Sequence, residues 1–96
     1  MKVSQHAWQR WKERHPHLDI REELAAARRP SKRLRQLLTY GRQDNADRQY
    51  FVTPNGVVFV VSKNWCVITV LRLYDARRRA RRIIKARRLE TGNWIQ

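Results

Sequence analysis

The sequence predicts an α+β fold: helices in the N-terminal half, a three-stranded antiparallel sheet after them, and a basic helix at the C-terminal end. Three observations predict it. Apolar residues recur at helical spacing in the first forty residues, the pattern then shifts to β-branched runs broken by turn residues between Tyr50 and Leu73, and helical spacing returns from Asp75 onward.

Ala7, Trp8, Trp11 and His15 form the apolar side of a first helix, and Ser4 stands where a cap should be. Pro16 breaks it. A second helix is expected from Leu18, with Asp19, Glu22 and Glu23 giving the negative charge that suits a helix start, and running to about Arg29. Pro30 and Ser31 open a third, with Leu34, Leu37 and Leu38 turned inward and Gly41 as its stop; Arg42 to Arg48 reads as a loop.

The strands follow. Tyr50-Phe51-Val52-Thr53, a turn at Pro54-Asn55-Gly56 and Val57-Val58-Phe59-Val60-Val61 make a hairpin. Ser62-Lys63-Asn64-Trp65 connects it to a third strand, Cys66 to Leu73, rich in β-branched residues. A terminal helix is expected from Asp75, its candidate cap, to Glu90, with Ala76, Ala80, Ile83 and Ile84 as a narrow inward stripe.

The 96 residues fit one domain, residues 1–73 holding the helices and sheet and residues 74–96 the basic helix and tail; neither a repeat nor a linker divides them. A hydrophobic content of 42% with four tryptophans supports a core, which argues against wholesale disorder. The longest uninterrupted apolar run, Val57 to Val61, is far short of the ~20 residues that span a bilayer, so no crossing is expected; a peripheral role at an anionic membrane ranks last, because the terminal helix lacks the broad aromatic and leucine face such binders use, and no membrane partner is expected. The opening Met1-Lys2-Val3-Ser4-Gln5-His6 lacks a secretory pattern, and a cytoplasmic location is the expectation. The single cysteine, Cys66, has no internal disulfide partner and, beside Val67 and Ile68, reads as a buried thiol in a reducing compartment.

Charge is the anomaly. Twenty-two Lys and Arg stand against eight Asp and Glu, a formal net charge of +14. Arginine outnumbers lysine heavily, and its planar guanidinium grips phosphate in bidentate fashion and stacks on bases, which points to RNA or DNA as the partner. The concentration is local: Arg72, Arg77, Arg78, Arg79, Arg81, Arg82, Lys85, Arg87 and Arg88 face only Asp75, a net +8 within that segment. A solvated face normally mixes both signs, and like charges at helical spacing destabilise the helix that carries them. The segment therefore reads as a nucleic-acid-binding element.

The string His6-Ala7-Trp8-Gln9-Arg10-Trp11-Lys12-Glu13-Arg14-His15 resembles a His-Ala-x-x-Arg-aromatic-x-x-Arg signature that begins a small bacterial and phage family of uncharacterised domains. Phe51 to Val58 and Val67-Ile68-Thr69-Val70-Leu71 resemble the hairpin and Val-Thr-Val strand that follow in that family, so residues 1–73 are covered. The family is grouped with the barnase, EndoU, colicin and RelE-like fold, many of whose members are metal-independent ribonucleases and toxin components. The resemblance implies His6 as acid or base, Arg10 as phosphate clamp and Thr69 as a hydroxyl from the strand, with Lys63 and Arg14 as further phosphate contacts. No cofactor is implied.

The residues alone bear on this independently. His6 and Arg10 share one helical face. Metal-free RNA cleavage needs a base, an acid and cations around the phosphorane, and a histidine beside an arginine suits two of those roles. The bland alternative is a surface or capping histidine and a Thr69 that is plain sheet. His6, His15, His17 and Cys66 show no zinc spacing. Trp65, Tyr74 and Trp94 are stacking candidates, although packing in the core or tail is the more ordinary expectation for each. The leading expectation is a nucleic-acid-binding, RNA-directed protein, with or without ribonuclease activity. The rival is a non-enzymatic effector or inhibitor, phage-encoded in type, whose basic surface engages an acidic host protein or nucleoprotein or mimics a nucleic-acid-binding partner; besides RNA or DNA, the partners expected are an acidic protein or an antitoxin.

Overall fold

A computed structural model describes residues 1–39 and 48–91, with side chains as far as residue 86. Gly41 as a helix stop, the loop through 42–47, the side chains of Arg87, Arg88 and Glu90, and Trp94 lie outside the described residues.

The chain runs β1 (Lys2–Val3), α1 (Gln5–Arg14), α2 (Ile20–Ala26), α3 (Lys32–Thr39), β2 (Gln49–Val52), β3 (Val57–Val61), β4 (Cys66–Arg72) and α4 (Leu73–Thr91). The α+β class holds, but the sheet is four-stranded and mixed, in the order β1-β4-β3-β2, rather than three-stranded and antiparallel. The expected strands form its antiparallel part; β1 adds a parallel edge, with Lys2 opposite Cys66 and Val3 opposite Val67. Two residues carry no alternation from which a strand could be read.

Because β1 is so short, most of the β4 edge would be left open, and α1 covers it. The Ser4 backbone amide donates to the Val67 carbonyl (2.9 Å) and its hydroxyl to Ile68 (3.2 Å), while Arg14 donates through Nη1 to Val70. An edge so occupied offers no template for another strand. Ser4 also accepts from the Ala7 amide at 3.0 Å, as a cap does.

At the other edge, Arg28 exchanges both backbone hydrogen bonds with Val52 (3.0 and 2.8 Å). This pairing ends α2 at Ala26, three residues before the expected Arg29: Ala27 is extended so that Arg28 can join the sheet. Asp19 caps α2, accepting from Arg21 and Glu22, and Ser31 accepts from Leu34 at the start of α3.

β3 is buried along its whole length, because helices cover both faces of the sheet. Val57, Phe59, Val61, Val67 and Val70 pack beneath Ala7 and Trp11 of α1 and Ile20 of α2, with the Trp11 and Phe59 rings stacked at 5.9 Å. On the opposite face Val58, Val60 and Tyr50 meet Leu38 of α3 and Ala76 of α4. Between Val60 and Val61 the register slips, so that Val60 pairs with Thr69 and Val61 with Val67, leaving Ile68 as the extra residue of a bulge.

Three smaller expectations change. Trp8 is 43% exposed, since Ala7 and Trp11 already fill the space under α1. Cys66 is half-buried, with its thiol directed at the Val67 carbonyl. α4 begins at Leu73, ahead of its expected cap Asp75: the Leu73 amide is taken by the Gly56 carbonyl (2.9 Å), and the Asp75 carboxylate turns back to Arg72 Nε at 2.6 Å.

His15 does pack inward, 5% exposed, its ring 5.2 Å from Trp11 and its Nε2 donating to the Leu71 carbonyl at 3.4 Å. Burial disfavours its charged form and outweighs that hydrogen bond, lowering its pKa below the usual 6.5. The unfolded chain therefore takes up a proton at a pH where the folded chain does not. Stability should fall as pH drops through about 6.5 and below, until the folded histidine also protonates. Urea unfolding at a series of pH values checks this, and His15→Gln should flatten the dependence between pH ~7 and ~5.

Candidate nucleic-acid interface

Nineteen residues of α4 rise about 28 Å, and the side that meets the fold is narrow. Ala76 and Ala80 are buried and Ile83 and Ile84 half-buried, while Arg77, Arg78, Arg79, Arg81, Arg82 and Lys85 are all exposed. Small alanines bring the helix axis close to its neighbours, and the arginines flanking that stripe keep their charged heads in water.

The basic residues do not form one surface. Arg77, Arg78 and Arg81 lie on the flank turned toward α3 and the β2–β3 turn, where an open trough of about 670 Å³ is lined by Gly56, Leu73, Tyr74 and these three arginines. A second trough, of about 410 Å³, continues it between the helices, sharing Arg77 and Arg81 and adding Ser31, Arg33, Leu34 and Leu37. Four arginines from two helices thus line two adjoining troughs that share Arg77 and Arg81. Tyr74, at its mouth, is 72% exposed.

On the other flank, Arg79 joins Arg14, Arg72 and Asp75 around a small hollow. Here the cations have internal partners: Arg72 is paired with Asp75 and Arg14 holds the β4 edge. Arg82 and Lys85 are exposed farther along the helix. Lys63 is exposed in the β3–β4 turn, at the far end of the sheet from Gly56 and α4. It shares no surface with the trough.

The candidate catalytic residues are not brought together. α1 runs along β4 from Val67, near Ser4, to Val70, near Arg14, which puts His6 at the Lys63 end of the sheet. His6 is exposed there, and the Arg10 guanidinium is engaged by Glu13 at 2.8 Å. Thr69 pairs with Val60, whose side chain belongs to the core beneath α3 and α4, so its own side chain lies across the sheet from α1. The bulge at Ile68 sets this facing, and no sequence pattern announces a bulge.

Sequence reasoning missed Arg33, because α3 reads as a leucine-bearing core helix. The signal was present in Lys32, Arg33 and Arg35 at its start. It also ranked packing above exposure for Tyr74 and for Trp65, which is 52% exposed. Among the described residues no three His, Cys, Asp or Glu gather as metal ligands, and no helix is long and apolar enough to cross a membrane. No family model, curated protein or solved structure matches this chain.

Proposed function

We propose that the protein binds nucleic acid, RNA in the first instance, by seating the phosphate backbone in the trough bordered by Arg33, Arg77, Arg78 and Arg81. The single observation that carries this is the gathering of these four arginines, from two helices, along two adjoining open troughs that share Arg77 and Arg81. Like charges so close repel one another, and a row of phosphates relieves that repulsion while releasing the counterions condensed on the nucleic acid. Tyr74 at the mouth adds an aromatic face for a base or ribose. Arg82 and Lys85 extend the positive potential along the helix.

Binding without cleavage is the favoured form of this reading. A ribonuclease built on His6, Arg10 and Thr69 needs the three around one phosphate, and the sheet separates Thr69 from the other two. Kinship with the RelE-like ribonuclease group belongs to the same proposal. It is supported by the order of helices followed by the Gln49–Val61 hairpin, as the resemblance implies.

Incubation of the protein with end-labelled RNA and a chelator tests the proposal. Retarded but intact RNA is the expected result. Cleavage abolished by His6→Ala would restore the nuclease, and association with an acidic protein but not with RNA would favour the effector.

A further inference from the structure

The two hairpin turns are built alike. In the first, the Gly56 amide donates to the Thr53 carbonyl (3.0 Å), the Thr53 amide to Val57 (3.0 Å), and the Thr53 hydroxyl accepts from the Val57 amide (3.2 Å). In the second, Trp65 donates to Ser62 (3.0 Å), Ser62 to Cys66 (2.9 Å), and the Ser62 hydroxyl accepts from the Cys66 amide (3.3 Å). Each tip thus has a hydroxyl residue, two turn residues and a fourth residue in the left-handed region. That fourth residue is Gly56 at φ +81° in one and Trp65 at φ +58° in the other.

Glycine is the residue this position favours, and a bulky aromatic is disfavoured there. Among the described residues, Trp65 is the one non-glycine with positive φ. Its ring does not vanish into the core in compensation. One side leans on Phe51, with centroids 6.4 Å apart and planes tilted by 41°, while the residue stays 52% exposed. Lys63 and Asn64, both exposed, share the same tip. A disfavoured backbone that holds a half-exposed indole beside a cation and an amide is a poor way to make a turn and an apt way to present an aromatic face.

We infer that the Ser62–Trp65 turn is a second nucleic-acid contact, which stacks one unpaired base on Trp65 while Lys63 meets the adjoining phosphate. This rests on the proposed nucleic-acid binding and deepens it, for the occupant is a single strand. Charge complementarity selects a nucleotide over an uncharged apolar partner, because Lys63, the one charged side chain of the tip, is exposed and cationic. A base within a duplex is already stacked on its neighbours and cannot use the indole; an unpaired base can. The tip lies the length of β4 from the start of α4, about 23 Å, so one extended strand that touches both ends crosses the body of the protein.

Trp65→Gly tests the inference, since glycine suits the turn and removes only the ring. By fluorescence anisotropy at fixed salt, affinity for a labelled oligouridine dodecamer should fall about tenfold, whereas affinity for an RNA hairpin stem of equal charge should be unchanged. Trp65→Phe should recover most of the loss, and thermal unfolding of each variant identifies any effect of misfolding. Equal binding of oligouridine by wild type and Trp65→Gly, or equal loss on both RNAs, would overturn the stacking site while leaving the arginine trough intact. Wild-type protein that binds neither RNA would overturn both readings.

Discussion

Replacing Arg33, Arg77, Arg78 and Arg81 together by glutamine should weaken RNA binding about a thousandfold at ~0.1 M salt, with the fold preserved. Each phosphate contact contributes roughly 0.7 to 0.9 log units of affinity per log unit of salt through counterion release, so four contacts amount to about three decades at that concentration. The fold should tolerate the change because all four residues are exposed and α4 is held by Ala76, Ala80 and the Leu73–Gly56 hydrogen bond. Removing like charges from α4 relieves repulsion, so the melting temperature should stay level or rise. A control that replaces four other exposed cations, Lys2, Lys12, Arg21 and Arg29, matches the change in net charge and so separates a local trough from a mere dependence on net charge. Filter binding of all three proteins checks the expectation, and a loss under tenfold for the quadruple variant would mean that the trough is not the seat of binding.

The second large effect concerns stability. Glu23 is 5% exposed, and its carboxylate accepts from the Thr53 hydroxyl at 2.8 Å and from Asn55 Nδ2 at 3.0 Å. It fastens α2 to the β2–β3 turn, the same turn whose Gly56 carbonyl receives the first amide of α4. Glu23→Ala would leave a buried hydroxyl without its acceptor and a void beneath the turn. A charge-assisted hydrogen bond contributes about 1.5 to 3 kcal/mol, and a stranded donor adds its desolvation cost, so the loss should reach about 3 kcal/mol. For a chain of this size that is roughly 12 to 24 °C in melting temperature. Glu23→Gln, which keeps the shape and one acceptor oxygen, should lose much less. Calorimetry of the two variants checks this, and equal melting temperatures for wild type and Glu23→Ala would refute the fastening role.

Local signals in the sequence located most of the helices and strands. Ser4, Asp19 and Ser31 act as caps because a side-chain oxygen ahead of apolar periodicity has few other uses, and the Pro54-Asn55-Gly56 turn forms where left-handed backbone is needed. What escaped depends on partners distant in the chain. β1 exists because β4 offers it an edge, and α2 stops early because Arg28 finds Val52. The unbroken valine run of β3 reads as a strand, but only the helices on both sides explain why it does not alternate.

The same holds for the candidate site. Arginine density marked α4 from composition, yet which flank faces a channel is decided by where Ala76 and Ala80 bury, and Arg33 enters through the packing of α3 beside it. The grouping of His6, Arg10 and Thr69 followed from linear motifs, which do not encode the face of a bulged strand. Trp65 reads from the sequence as one of three stacking candidates with packing the more ordinary expectation, because its exposure follows from a backbone angle that no spacing reveals.

The most direct test of the central proposition is the affinity of the wild-type protein for a short RNA measured across salt concentration, alongside the quadruple arginine variant. A straight fall of log affinity with log salt is expected, shallower in the variant by about three slope units, one for nearly every phosphate released. Parallel lines, or no measurable affinity for RNA or DNA even in dilute buffer, would contradict it.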